Sequence, residues 1–117
     1  MSYINYNGKI LPASEHVAGA SNRGLRYGDG LFETIKLREG RIILCDEHLA
    51  RLWKGMNMLK FAIPKLFSPD KIESGIIALA NKNRVNDARI RVMVFRGDGG
   101  IYDAKDQSLI ISLKHFR

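Results

Sequence analysis

A single cysteine, Cys45, leaves the chain without any possible internal disulfide. Long hydrophobic runs are missing too: runs such as residues 76–80 and 109–111 are far too short to cross a bilayer. Met1-Ser2-Tyr3 leads straight into strand-like sequence, where a secretory leader would carry a basic and then an apolar stretch. These absences predict the cytoplasm and no membrane partner. No segment repeats and none is low in complexity. His48 has no second His at ligand spacing, so no metal is expected. The glycine clusters at 28–30 and 97–100 match no Walker pattern and do not run from strand into helix. A nucleophile elbow and a serine triad are also lacking.

What is present is ordinary for a soluble domain: 117 residues, 45% apolar and 26% charged. That length predicts one domain, spanning 1–117, with a core of real size. The net charge is +7. Arginines concentrate at Arg84, Arg89, Arg91 and Arg96, but no interleaved aromatics or nucleic-acid motif accompany them, so a nucleic-acid partner is not expected.

Asn7-Gly8 joins two short strand-like runs, 3–6 and 9–11, as a tight hairpin. Residues 12–30 are poor in periodic signal and read as a long loop of functional type. A strand over 31–38, a Glu39-Gly40 turn and an antiparallel partner over 41–44 follow. Asp46 is the predicted N-cap of a first helix, with Leu49, Leu52, Trp53, Met56 and Leu59 as its buried stripe and Pro64 as its end. Ser68-Pro69-Asp70 opens a second helix with core face Ile72, Ile76 and Leu79. Strands over 88–96 and 108–114 complete the order β-β-loop-β-β-α-α-β-β. Strands and helices are partly segregated, which predicts an α+β domain: an antiparallel sheet covered by two helices.

Alternation places Leu31, Glu33, Ile35 and Leu37 on one face of the third strand and Phe32, Thr34, Lys36 and Arg38 on the other. Glu33 is thus a carboxylate on an apolar face. It is either a buried partner for a nearby arginine or a group that positions a loop or ligand. Phe32 is the one apolar residue on the polar face, fit to line a pocket or to pack under a loop. Arg89 and Arg91 share a face and together suit a carboxylate or phosphate, or else a solvated pair of surface ion bridges. Arg51 borders the apolar stripe of the first helix, from which it can reach solvent or an anion. His48 reads as a structural hydrogen-bonding residue.

Taken together, Tyr27-Gly28-Asp29-Gly30-Leu31-Phe32-Glu33 and Glu47-His48-Leu49-Ala50-Arg51-Leu52 closely resemble the YGDG-[VL]-FE and EH-x-x-RL motifs of class IV aminotransferases. That family of fold-type IV pyridoxal-phosphate (PLP) enzymes includes branched-chain and D-amino-acid aminotransferases and 4-amino-4-deoxychorismate lyases. Asn7-Gly8 after the first strand and Arg89-Ile90-Arg91 also fit its N-terminal domain. The resemblance implies a homodimer holding PLP between two domains. It makes Arg51 the ligand of the cofactor phosphate, and Tyr27, Phe32 and Arg91 pocket residues. Arg89 stands where many relatives have Tyr. The Schiff-base lysine of the family lies in a C-terminal domain, so it is expected beyond residue 117, and none of the nine lysines here sits in a matching context. The isolated chain is therefore expected to be inactive. Thr34 after Glu33 resembles the lyase branch, which leaves aminodeoxychorismate lyase slightly ahead of amino-acid transaminase. A non-catalytic dimerisation or anion-binding module is the alternative.

Overall fold

The structure, a computed structural model, describes residues 2–14, 30–61, 63, 67–96 and 107–115, with backbone alone for Arg96 and 107–115. Pro64, the 97–100 loop and most of the expected 12–30 loop lie outside these residues. Strands β1 (Tyr3–Tyr6) and β2 (Lys9–Pro12) pair with Tyr6 opposite Lys9. Asn7 (φ 52°) and Gly8 (φ 88°) make the turn between them. Positive φ at both positions matches the natural twist of the flanking strands, which is why Asn-Gly signals such a turn. The hairpin between β3 (Gly30–Arg38) and β4 (Arg41–Ile42) repeats this geometry with Glu39 (φ 51°) and Gly40 (φ 76°). Its strained glutamate is held by the start of the next long strand. The Glu39 N–H donates to Asp87 Oδ1 at 3.2 Å, and the Gly40 N–H to the Asn86 carbonyl at 3.0 Å.

β4 is shorter than the expected 41–44 because Leu44 turns left-handed (φ 54°) and becomes the N-cap of helix α1 (Cys45–Met58). Asp46 is therefore not the cap. It sits with Glu47 in the first turn, where both carboxylates face the positive end of the helix dipole. Leu49, Leu52 and Met56 are buried and Trp53 partly so, as the spacing predicts. Leu59 is 39% exposed, against expectation. The helix stops at Met58 without reaching Pro64: Lys60 (φ 59°) turns left-handed, its N–H bonds the Asn57 carbonyl, and the Phe61 N–H bonds that of Met56. This closure throws Leu59 outward and buries Phe61 in its place.

Helix α2 (Pro69–Asn83) begins where the sequence places it, with Ser68 at the N-cap position, its side chain making no cap hydrogen bond, and Pro69 at its first position. Ile72, Ile76 and Leu79 are fully buried. Its end repeats the α1 closure, with Arg84 left-handed (φ 57°) and Val85 buried behind it. Left-handed backbone costs a non-glycine residue about 1–2 kcal/mol. A cation near the helix C-terminus returns about 0.3–1 kcal/mol. Arg84→Gly should therefore stabilise the chain by about 1 kcal/mol, read as a higher denaturant midpoint; a lower midpoint would count against this account of the cap.

β5 (Ala88–Arg96) and β6 (Gln107–His115) complete a six-stranded sheet of order β2-β1-β6-β5-β3-β4, every pairing between them antiparallel among the described residues. This is the α+β architecture the sequence predicted. α1 packs on β3, and α2 on β1 and β6, so both helices cover one face. Between them and the sheet lies a core that includes Ile35, Leu37, Ile90, Val92 and Val94. Asn83 ties β1 to α2: its Oδ1 accepts the Tyr3 N–H at 2.9 Å and its Nδ2 donates to the Tyr3 carbonyl at 3.2 Å. Trp53 stacks on Phe67 at 5.4 Å and joins the chain before α2 to α1. No helix among the described residues is long and apolar enough to cross a membrane.

Candidate functional site

β3 divides the candidate residues between its two faces. Glu33 points to the helix side and is 8% exposed. His48 and Arg51 stand three apart on α1, hence on one face of that helix, and both reach the Glu33 carboxylate. Arg51 Nε lies 3.2 and 3.1 Å from its two oxygens, and Nη2 lies 2.9 Å from Oε1. His48 Nδ1 is 2.8 Å from Oε1. Burial pushes the Glu33 carboxyl up, but the hydrogen bonds and charges of Arg51 and His48 outweigh it and leave the group below its ordinary value. An ionised carboxylate only accepts, so His48 donates from Nδ1. The hydrogen bond and charge of Glu33 in turn raise Arg51. The Arg51 side chain remains 70% exposed, and its Nη1 takes no part in the pair. Glu33 thus meets the first of its two expected roles and fixes an arginine whose outer edge faces solvent.

The opposite face of the sheet, which α1 and α2 do not cover, carries Phe32, Arg89 and Arg91. Phe32 is 60% exposed, and the Arg91 guanidinium carbon lies 5.0 Å from the centre of its ring. Arg89 is exposed on the same face, opposite Lys36. Tyr27 lies outside the described residues. Arg51 and the Phe32 set therefore flank β3 from opposite sides, linked through the adjacent residues Phe32 and Glu33. β4 pairs only with Leu37 and Arg38, so among the described residues the first half of β3 has an open edge where the two sides meet.

His48, read from sequence as a structural hydrogen-bonding residue, does bond Glu33, a partner that the sequence reading did not name. Lys36 was placed on the right face by alternation but not associated with Arg89, since that needs the β3–β5 register. Burial, then the charges of Glu73, Asp46, Glu47 and Asp70, push the Cys45 thiol up. Among the described residues no His, Cys, Asp and Glu gather as a metal site.

The profile of the amino-transferase class IV family matches residues 30–117. The chain belongs to that family. This class IV chain is 32% identical over 94 residues to a D-alanine aminotransferase of Bacillus licheniformis, covering 80% of the chain and 32% of that relative. A D-alanine aminotransferase of Listeria innocua is 24% identical over 78% of the chain and 31% of its own length. The class IV chain thus spans about a third of the curated relatives it matches. Its fold matches the branched-chain amino acid aminotransferase of Escherichia coli at a TM-score of 0.88 and 24% identity, over 98% of this chain and 40% of that one. The branched-chain enzyme of Thermoproteus uzoniensis, crystallised with norvaline, gives a TM-score of 0.87 at 17% identity, over 99% and 41%.

Proposed function

We propose that this chain is the cofactor-covering domain of a PLP-dependent aminotransferase. The observation that carries the reading is the Arg51–Glu33 pair, an exposed guanidinium fixed in direction by a buried carboxylate; the motif resemblance assigns this arginine to the cofactor phosphate. A phosphate needs a cation that does not have to be ordered on binding, and Glu33 has already ordered this one. Phe32, exposed beside the open edge of β3, supplies an apolar wall, and Arg91 a cation for a substrate carboxylate. These residues fit the cofactor. When bound, PLP supplies an electron sink for the bond broken at the substrate α-carbon. The chain's own part is to grip the phosphate, wall off water and orient the substrate.

In this reading residues 1–117 form one domain, and the lysine that bonds the cofactor stands on a second domain, so the isolated chain is inactive. The relatives' names favour transamination over the lyase reaction, and the enzyme acts as a homodimer. The test is to titrate the chain with pyridoxal 5'-phosphate and with pyridoxal, following absorbance. Wild type should prefer the phosphorylated form, and Arg51→Ala should lower that preference by about tenfold. An unchanged preference in the variant would rule out the phosphate role. If wild type itself shows no preference, the reading as a non-catalytic module of the same fold is favoured instead.

A further inference from the structure

The sheet order puts β2 and β1 at one edge, with β6 and β5 between them and β3. At that edge a cleft of about 430 Å³ separates the hairpin from the first half of α2. Asn5, Gly8 and Ile10 line it from the hairpin, and Ser74, Gly75 and Ala78 from the helix. The far half of α2 is tied to β1 through Asn83 and Tyr3. Nearer its start, Ser74, Gly75 and Ala78 come round to the hairpin at i, i+1 and i+4, and none has a side chain long enough to close the gap. Small-molecule sites have volumes of roughly 300–1,000 Å³, a range that includes this cleft.

One polar group in the cleft stands without a partner among the described residues. Asn5 is 4% exposed. Its Oδ1 accepts the Gly8 N–H at 2.9 Å, which assigns the oxygen to the turn and leaves Nδ2 as the free end of the amide. Asn83, farther along the same helix, uses its whole amide: Oδ1 accepts the Tyr3 N–H, and Nδ2 donates to the carbonyls of Tyr3 and Leu79. A buried donor without an acceptor is costly and rare, so the Asn5 amide calls for an acceptor from outside the chain. The rest of the lining decides what carries that acceptor. Ile10, opposite Asn5 in register and 36% exposed, offers alkyl contact together with Gly75 and Ala78. Asp70 and Lys71, also in the lining and both exposed, bring opposite charges, so the cleft favours neither an anion nor a cation. A water molecule would satisfy Nδ2 but would leave the apolar wall uncovered.

We propose that this cleft binds a small uncharged acyl compound, an amide or ester with a short alkyl chain. Its carbonyl oxygen accepts from Asn5 Nδ2. Its alkyl chain covers Ile10 and occupies the space that Gly75 and Ala78 leave open. A carboxylate meets the Asp70 charge, and an alkylammonium brings a second donor to Nδ2, so both ions are selected against. Neither Arg51 nor Phe32 takes part, and the inference does not rest on the cofactor reading.

The experiment titrates the chain, at fixed ionic strength, with isobutyramide, isobutyrate and isobutylammonium. NMR follows the Asn5 side-chain amide and the backbone amides of Gly8, Gly75 and Ala78. Isobutyramide should shift the Asn5 side-chain signals and bind about tenfold more tightly than either ion. Asn5→Asp keeps an acceptor for the Gly8 N–H and removes the donor, so it should weaken isobutyramide by about tenfold. Ala78→Leu fills the cleft from an exposed helix position, where leucine is a good helix former, and should abolish binding with the fold intact. Should Asn5→Asp fail to fold, Ala78→Leu decides alone. No shift with any probe, equal binding of all three, or unchanged binding in Ala78→Leu each overturns the inference. Isobutyrate binding more tightly than the amide overturns it too, as the mark of an anion site on Lys71.

Discussion

Replacing Ile90 with alanine costs the chain about 2–5 kcal/mol of stability, whereas Arg89→Ala and Arg91→Ala on either side change it by about 0.5 kcal/mol. Three consecutive residues of one strand thus give opposite results because they face opposite ways. Ile90 is fully buried, opposite Ile35 at 1% exposure, in the core that the sheet shares with the helices. Cutting it back loses the transfer free energy of its methylenes and leaves a cavity that a close-packed core only partly fills. Against a total of about 5–15 kcal/mol for a domain, that is a large share. Arg89 and Arg91 stand in solvent, and Arg91 gives up little beyond its contact with Phe32. Urea denaturation of the three variants decides the matter. The Ile90 midpoint should fall with its slope unchanged, while the other two stay close to wild type. Comparable losses at all three positions would mean that the strand does not present its faces as described. The result bears on function because Ile90 anchors the strand that holds both arginines.

Glu33→Gln flattens the acid side of the stability curve. The wild-type carboxyl lies below its ordinary value of 4.5 in the folded chain. Above that value it is ionised both folded and unfolded, and its pairing with Arg51 and His48 contributes in full. As pH falls through 4.5 the unfolded chain binds the proton first, because the folded carboxylate is held by two donors. Stability is lost until pH passes the lowered folded value, and below both values the contribution is gone. Glutamine keeps the shape and an acceptor oxygen but carries no charge, so the variant starts lower at neutral pH and loses less on acidification. Denaturation midpoints measured from about pH 7 down to about pH 3 should draw together at the acid end. Parallel curves for the two proteins would show that Glu33 gains nothing from its partners. The same variant frees the Arg51 guanidinium to turn, so the preference for pyridoxal 5'-phosphate should also weaken.

The features legible in the sequence were those set by neighbouring residues. Asn7-Gly8 and Glu39-Gly40 announced both hairpins, and Ser68-Pro69 the start of α2. Alternation sorted Glu33 from Phe32 and Ile90 from its flanking arginines. Both ends of α1 were harder to read. Leucine avoids left-handed backbone, so Leu44 gave no sign of being the cap while Asp46 looked ideal. Leu59 keeps helical spacing, and no glycine follows it to signal the stop that Lys60 and Phe61 make. The candidate site was half legible for a related reason. The motifs marked Arg51, Phe32 and Arg91 singly, but the Arg89–Lys36 pairing depends on a register between strands that are distant in sequence.

The sheet order has a consequence for how the chain reaches this state. β6 lies between β1 and β5, with Asn5 opposite Ile111, so among the described strands the one latest in sequence joins the first to the rest. On the ribosome, β1 and β5 each wait with an unpaired row of backbone groups until β6 emerges. Asn83 meanwhile offers Tyr3 a foothold on α2. Closure over such a span is slow, and an exposed strand edge readily accepts the wrong neighbour. Closure of the described sheet therefore waits until β6 has been made, when one strand closes two edges at once.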